Sequence, residues 1–225
     1  MKLNTYSDSE ILWMELANTI AGELNRALMT HERVSLAVPG GTTPGPVYDV
    51  LSVVSLDWER VDILLTDERW VPEDNPRSNA ALIRKHLLVD KPAAANFIPF
   101  YTGGTEPDVD LADIATRVRG LCPLTFVLLG MGSDMHTASL FPGADRLAKA
   151  LGNDAPEVLA LRAPGAGEPR VTLSAEVING AMNKHLVILG DEKRAALERA
   201  VEIGDPMVAP VSAVLDGLIV HWAPS

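Results

Sequence analysis

Residues 126–142 read FVLLGMGSDMHTASLFP, and this stretch decides the fold class. Its four apolar residues predict a buried strand, and a Gly-x-Gly loop, a polar turn and a short helical start follow. In open α/β sheets, ligands bind beyond the carboxyl ends of the strands. We therefore expect a functional site in the loop that follows this strand.

Asp134 and His136 stand in that loop, two residues apart, with Thr137 and Ser139 beside them. A carboxylate near an imidazole can orient the ring and raise its basicity, as a general base requires. A single histidine in a loop is more often solvated or structural, and on these residues alone that alternative stays open. The strand end, the paired glycines and the short polar side chains favour catalysis.

Strands and helices alternate along the rest of the chain. Apolar runs predict strands at residues 34–38, 61–65, 97–100, 126–129, 158–161, 186–189 and 218–220. Helical spacing predicts a long helix from a capping box at Ser7 to before His31, and further helices at 44–51, 78–88, 109–119, 175–183 and 192–201. This pattern predicts one α/β domain over residues 1–225, a mainly parallel sheet with helices on both faces.

Composition excludes several classes of partner. The 225 residues carry a net charge of -11 with no cluster of Lys and Arg, so we expect no nucleic-acid partner. No apolar stretch approaches the ~20 residues that span a bilayer, and no basic and apolar leader opens the chain. Cys122 is the single cysteine, which we expect in the core; it fits a reducing compartment, and we expect a cytoplasmic protein. No Cys/His set has metal-ligand spacing, so no metal site is predicted.

The first predicted strand leads into a loop of glycines and hydroxyl side chains: Gly40, Gly41, Thr42, Thr43 and Pro44. The helix predicted after this loop would offer free N–H groups and a positive dipole end to a phosphate. Neither a P-loop pattern nor GxGxxG is present, which argues against a nucleotide site. An ordinary glycine-rich turn is the alternative.

The next strand leads into TDERWVP at residues 66–72. Arg69 presents a planar fork that suits phosphate oxygens or a developing oxyanion. We expect Asp67 and Glu68 to hold that fork, and a purely structural ion pair is the alternative. Asn79 follows soon after and is a further candidate for substrate binding.

Two more cations stand near predicted helix starts. Lys193 falls in the first turn of a predicted helix, where a cation opposes the helix dipole, so an anion nearby would compensate. Arg170 and Thr172 precede another predicted helix. Either cation alone is more often solvated surface, but their place at the same expected edge favours a phosphate-binding cleft.

These motifs together resemble those of the 6-phosphogluconolactonases, whose superfamily also includes the glucosamine-6-phosphate deaminases. The resemblance runs nearly end to end, through GGTTP at 40–44, TDERWVP at 66–72 with Ser78 and Asn79, GMGSDMHTASLFP at 130–142, RVTL at 170–173 and GDEK at 190–193. The HTASLFP segment is the lactonase form, since deaminases usually continue with an Ala-Phe-Asn-Glu-Pro type of sequence. The resemblance implies a Rossmann-like, three-layer fold similar to that of the deaminases.

The resemblance also implies a reaction: hydrolysis of 6-phospho-D-glucono-1,5-lactone to 6-phospho-D-gluconate in the oxidative pentose phosphate pathway, with no metal or organic cofactor. It implies that His136 is the base that activates water and that Asp134 and Asp67 orient it or the water. Arg69 would bind the phosphate or stabilise the developing oxyanion. The other residues implied in binding the phosphate or sugar are Gly40, Gly41, Thr42, Thr43, Asn79, Arg170 and Lys193.

Met135 departs from the family pattern, which most often has glycine there. A positive φ at this position would cost methionine roughly 1–2 kcal/mol. We expect instead that the loop adopts a conformation open to methionine and that Met135 lines the pocket wall.

Two other functions compete with the lactonase interpretation. A deaminase of the same fold would release ammonia from glucosamine 6-phosphate. A phosphosugar-sensing domain without catalysis would be joined to a DNA-binding helical domain, for which the chain offers neither room nor basic charge. We expect a monomer or a weak homo-oligomer with a phosphorylated sugar lactone as its small-molecule partner.

Overall fold

The computed structural model describes residues 1–109 and 111–224. The strands in this part of the chain are β1 (Lys2–Thr5), β2 (Val34–Val38), β3 (Val61–Leu65), β4 (Asp67–Arg69), β5 (Asn96–Ile98), β6 (Phe126–Leu129), β7 (Val158–Leu161), β8 (Arg170–Leu173), β9 (Asn183–Leu189) and β10 (Ile219–Ala223). The α-helices are α1 (Ser9–Leu28), α2 (Gly45–Ser52), α3 (Asn79–His86), α4 (Leu111–Arg119), α5 (Leu147–Leu151), α6 (Ala175–Asn179) and α7 (Asp191–Ile203). Short 3-10 helices lie at Trp58–Arg60, Lys91–Ala94, Pro107–Val109 and Pro210–Val214.

The strands form two sheets. Seven of them pair in parallel in the order β1-β10-β9-β6-β2-β3-β5, and β4-β8-β7 form a separate antiparallel sheet. From β2 the chain winds outward through β3 to β5 and then returns to the other side of β2 as β6. The order of strands therefore reverses between β2 and β6, and in doubly wound sheets such a reversal opens a crevice for a ligand.

The large sheet is covered on both faces. Every residue of β2, β3 and β6 is buried, although successive side chains of a strand point to opposite faces. Tyr48 and Phe100 are among the largest side chains in the same core. The predicted α/β class with a mainly parallel sheet is therefore confirmed. No helix in the described part of the chain has the length and apolar character needed to cross a membrane.

Thr66 joins the two sheets. It is the single residue between β3 and β4, and it is fully buried. Its amide donates to the carbonyl of Val38 on β2 at 2.9 Å, and its own carbonyl accepts from the amide of Leu173 on β8 at 2.9 Å. One residue thus takes part in hydrogen bonds to both sheets at the edge where the candidate loops meet.

Several local predictions were wrong. The segment expected to cap β3 forms β4. Residues 170–173 do precede a helix, α6, as expected, but they also form β8, which was not predicted, because β4 and β8 pair with each other. β4 and the edge strand β1 are short and mostly polar, and the two apolar residues of β8, Val171 and Leu173, are too few to indicate a strand. The helical start expected after Ser139 is absent: Thr137 bridges Leu140, and the next helix begins at Leu147.

Helix boundaries shifted by small amounts. Asp8, not Ser7, caps α1, and its carboxylate accepts from the amide of Ile11 at 2.9 Å. The helix expected over residues 175–183 ends at Asn179, and the following residues enter β9. Cys122, expected in the core, is exposed in the loop after α4.

Candidate active site

A cleft of about 230 Å³ lies at the β2/β6 switch point. Every residue predicted for the site lines it except Asp134: Gly40, Gly41, Thr42, Thr43, Asp67, Arg69, Asn79, His136, Arg170 and Lys193. Met131 and Val187 form an apolar part of its wall. Segments that are distant in sequence therefore converge on one concave surface, as the sequence predicted.

His136 and Asp134 form a hydrogen-bonded pair at the cleft. Nδ1 of His136 lies 2.5 Å from a carboxylate oxygen of Asp134, and that oxygen also accepts from the His136 amide at 3.2 Å. Burial alone would raise the pKa of Asp134, but its bonds and charge interaction with His136 outweigh burial and lower that pKa. No described residue bonds to Nε2 of His136, so the ring can present this nitrogen to water in the cleft.

Gly132 makes room for this pair. A Cβ at position 132 would lie 2.4 Å from the Asp134 carboxylate and 2.4 Å from Nδ1 and Cε1 of His136. No side chain fits there without displacing the imidazole. Glycine is thus required at position 132 because the Asp134 and His136 side chains approach its backbone closely. The sequence motif alone indicated only a glycine-containing loop.

Met135 corrects an expectation about this loop. Its φ is 67°, in the left-handed region that favours glycine, so the loop does not adopt a conformation open to any residue. Met135 packs against the core and does not line the cleft. Its carbonyl accepts from the amide of Val211 at 3.0 Å, which ties the turn to the body of the protein.

The loop after β2 approaches a helix start. Gly41 has φ 93°, and the exposed Thr42 stands next to it. Pro44 caps α2 without any side-chain hydrogen bond to the first turn. Exposed amides and the positive end of a helix dipole suit an anion. The geometry is therefore compatible with the predicted phosphate seat.

Gly40 and Asn79 pack closely against each other. A Cβ at position 40 would lie 1.9 Å from the side-chain oxygen of Asn79. The same oxygen accepts from Arg69 at 3.0 Å, and the Asn79 amide nitrogen donates to the backbone carbonyl of Asp67 at 2.8 Å. Asn79 thus links the glycine loop to Arg69.

Glu68 does not hold the Arg69 fork, contrary to expectation. Its buried carboxylate accepts from the backbone amide of Arg69 in β4 and from those of Asn79 and Ala80 at the start of α3, each at 2.8 Å. Burial raises the pKa of Glu68, although these amide bonds act in the opposite direction. The Arg69 guanidinium instead donates through one terminal nitrogen to the carbonyl of Arg77 at 2.6 Å and to Asn79.

Two arginine side chains are neighbours on one face of the small sheet. Arg69 and Arg170 are direct partners in the β4/β8 register, an arrangement that is unfavourable for like charges. Burial lowers the pKa of Arg170, the charge of nearby Asp67 raises it and that of Arg69 lowers it. The Nε atoms of both arginines are buried, and no described residue accepts from either. An anion between them would relieve both features.

Asp67 has partners other than those expected. One carboxylate oxygen accepts from the buried Ser139 hydroxyl at 2.6 Å and lies 3.9 Å from Arg170. The other oxygen accepts from the hydroxyl of Thr66 at 3.3 Å. No described bond joins Asp67 to His136, so it is Asp134 that orients the imidazole.

Lys193 lies in the first turn of α7, as predicted. Burial lowers the pKa of its ammonium group, while the charges of Glu192 and Asp134 raise it. No described residue forms a hydrogen bond or ion pair with this ammonium, although the Asp134 effect places it near the His136 pair. Lys193 is therefore a cation available to a ligand.

Sequence reasoning gave Phe141 no role and gave Glu68 the wrong partner. The Phe141 ring lies against the His136 ring at a tilt of 31°, and Glu68 accepts from the backbone amides at the start of α3. Both stand in the quoted motifs, but nothing in their spacing indicated these partners. Within residues 1–109 and 111–224, no group of three or more His, Cys, Asp or Glu side chains is arranged to hold a metal ion.

Comparison with known proteins identifies the family. A family model described as glucosamine-6-phosphate isomerases/6-phosphogluconolactonase matches residues 7–222. The chain belongs to this family. The family assignment agrees with the resemblance drawn from the motifs, which is thereby confirmed.

Individual family members match along almost their full length. A 6-phosphogluconolactonase of Rhizobium meliloti (strain 1021) is 38% identical over 228 residues, which cover 99% of this chain and 98% of the relative. One of Mesorhizobium japonicum is 40% identical and covers 98% and 94%. The crystal structure of a 6-phosphogluconolactonase from Shewanella baltica OS155 superposes with a TM-score of 0.96 at 31% identity, over 100% and 98% of the two chains.

Proposed function

We propose that this chain hydrolyses 6-phospho-D-glucono-1,5-lactone to 6-phospho-D-gluconate, the second step of the oxidative pentose phosphate pathway. The observation that carries the proposal is a single cleft that is lined by an imidazole oriented by Asp134 and by two neighbouring arginines. Hydrolysis of an ester needs a base for water and positive groups for the oxyanion. The full-length relatives named 6-phosphogluconolactonase support the choice of substrate.

His136 is the proposed general base. Its Nε2 takes a proton from water while the water oxygen bonds to the lactone carbonyl carbon, and the carbonyl π electrons move onto oxygen. When the tetrahedral intermediate collapses, the bond from carbon to the ring oxygen breaks and the imidazolium returns the proton to that oxygen. Asp134 stabilises the imidazolium through Nδ1. The scheme uses no cofactor and no serine nucleophile.

The cleft offers two anion sites, and we assign them to different parts of the substrate. The phosphate binds at Gly41, Thr42, Thr43 and the uncapped start of α2, with Lys193 as its counter-ion. The oxyanion that develops at the carbonyl meets Arg69 and Arg170, whose planar forks carry unused donors. Asp67 is then a residue that positions Arg170 and does not act on the water.

Hydrolysis of freshly made lactone, corrected for spontaneous opening, tests this function. His136→Ala should lower kcat by about 10²–10⁴-fold, the usual contribution of a general base. His86→Ala is the matched control. His86, the last residue of α3, bonds to Asp49 of α2 and does not line the cleft. The kcat of this variant should therefore stay at the wild-type value. Unchanged kcat in His136→Ala would refute the base.

The competing deaminase activity has its own assay. Glucosamine 6-phosphate should release no ammonia in the presence of the protein. Ammonia release without lactone opening above the spontaneous rate would overturn the proposed reaction.

Three further proposals concern the domain organisation, the location and the oligomeric state of the protein. We propose that residues 1–225 form one domain, and the hydrophobic cluster that joins β2 of the large sheet to β8 of the small one supports this. We propose a cytoplasmic location, which suits a chain with one unpaired cysteine. We propose a monomer or weak homo-oligomer, which sedimentation would test.

A further inference from the structure

Phe141 touches both the proposed base and a proposed oxyanion cation, although it does not line the cleft. Its ring centroid lies 4.1 Å from that of His136, with 31° between the ring planes. The guanidinium carbon of Arg170 lies 5.5 Å from the same Phe141 ring. One aromatic side chain therefore connects two groups that must keep a fixed separation around the lactone carbonyl.

The position of Phe141 is set by contacts that do not involve the imidazole. The turn that precedes it contains Ala138 in the left-handed region, with φ 48°. The buried hydroxyls of Thr137 and Ser139 hold this turn, through bonds to the carbonyl of Gly130 at 2.9 Å and to Asp67 at 2.6 Å. A strained residue held by surrounding bonds is a recurrent feature of functional sites. Phe141 is thus a fixed wall against which the His136 ring rests.

The imidazole needs this wall. Its one described side-chain bond runs from Nδ1 to Asp134, and a single bond leaves the ring free to tilt about it. Gly132 lies close to the ring but presents no side chain. Contact with the Phe141 ring, whose centroid lies 4.1 Å from that of the imidazole, restricts the tilt that the Asp134 bond permits.

We propose that Phe141 is a positioning residue that keeps Nε2 of His136 directed into the cleft and keeps Arg170 beside it. The proposal rests on the lactonase function proposed above. The ring contacts of Phe141 in the described part of the chain are with His136 and Arg170 and not with the proposed phosphate-binding residues 41–43 or Lys193, so its loss should affect kcat far more than KM.

Kinetics of matched variants give the first test. Phe141→Leu removes the ring and keeps an apolar side chain, and it should lower kcat about tenfold with KM changed less than twofold. Phe141→Tyr keeps the ring and should restore kcat to within twofold of wild type. Phe97→Leu is the control, because Phe97 lies under Arg84 at 5.0 Å, outside the cleft, and should leave both constants unchanged.

Nitrogen NMR of the histidine rings gives a second, independent test. In the wild type, His136 should show one tautomer with the proton on Nδ1, and Phe141→Leu should show a mixture. The buried His185 and His221 should keep their signals, which reports an intact core. If Phe141→Leu fails this core check, Phe141→Met takes its place.

The outcomes separate the two proposals. Wild-type kcat and a single His136 tautomer in Phe141→Leu would overturn the positioning role, as would equal losses in Phe141→Leu and Phe97→Leu. A wild-type protein that does not open the lactone would refute the proposed function, while the tautomer measurement would still decide whether Phe141 holds the ring.

Discussion

Gly132→Ala is the smallest change that should disable the proposed base. The new methyl group would lie 2.4 Å from Nδ1 and Cε1 of His136, whereas ordinary contact begins at 3.4 Å. The ring must therefore retreat by about 1 Å, because the difference 3.4 − 2.4 is 1.0 Å. A displacement of this size at a reacting group can lower the rate about 10²-fold. We expect kcat to fall by that factor.

The assay compares initial rates on fresh lactone with thermal unfolding of the same samples. Gly22→Ala is the control: a Cβ there meets nothing within 4 Å, so activity should not change. In the middle of α1, alanine should also stabilise the fold by about 0.5–1 kcal/mol relative to glycine. If Gly132→Ala keeps kcat within threefold of wild type, the close approach has no catalytic consequence and the reasoning is wrong.

Three further changes have expected outcomes. Lys193→Met should raise KM about 10–100-fold with little change in kcat, since it removes a charged partner of the phosphate; a KM near wild type would exclude that role. Glu68→Gln should destabilise the fold by about 1–3 kcal/mol in urea titrations, because the carboxamide presents a donor to backbone amides that need an acceptor; equal stability would contradict this. Burial lowers the pKa of His185 to about 4 and that of His221, which also feels the charge of His185, to about 3. The unfolded chain therefore binds more protons below pH 6.5, and the free energy of unfolding should fall by roughly 4 kcal/mol between pH 7 and pH 5; a change under 1 kcal/mol would show that these rings are not held neutral.

The large sheet could be predicted because its central strands have a recognisable apolar sequence pattern. β2, β3 and β6 are short apolar runs, and burial on both faces leaves no other pattern available to them. β4 and β8 could not be predicted in the same way, because Arg69 and Arg170 become strand residues through tertiary pairing, Arg69 with Arg170 and Arg170 also with Leu161 of β7. Their strand character is a property of the tertiary fold.

The residues that lie in the site were easier to predict than their hydrogen-bond partners. Strand ends indicated Asp67, Arg69 and His136, because parallel strands deliver their loops to one edge. The partner of Asp67 is Ser139, which is 72 residues away in sequence. Charge alone favoured a bond between Asp67 and Arg69, and only the fold shows which acceptor each donor reaches.

The hydrogen bonds of Thr66 have a consequence for binding. The loop after β6 and the helix α7 after β9 of the large sheet carry His136 and Lys193, and the small sheet carries Arg69 and Arg170. Because Thr66 is bonded to a strand of each, the two halves of the cleft are held in register before any substrate arrives. Binding of a ligand then requires little ordering of the protein, so the free-energy cost of that ordering is small. We expect a preorganised site, with nearly the same backbone conformation and mobility in the empty and the occupied enzyme.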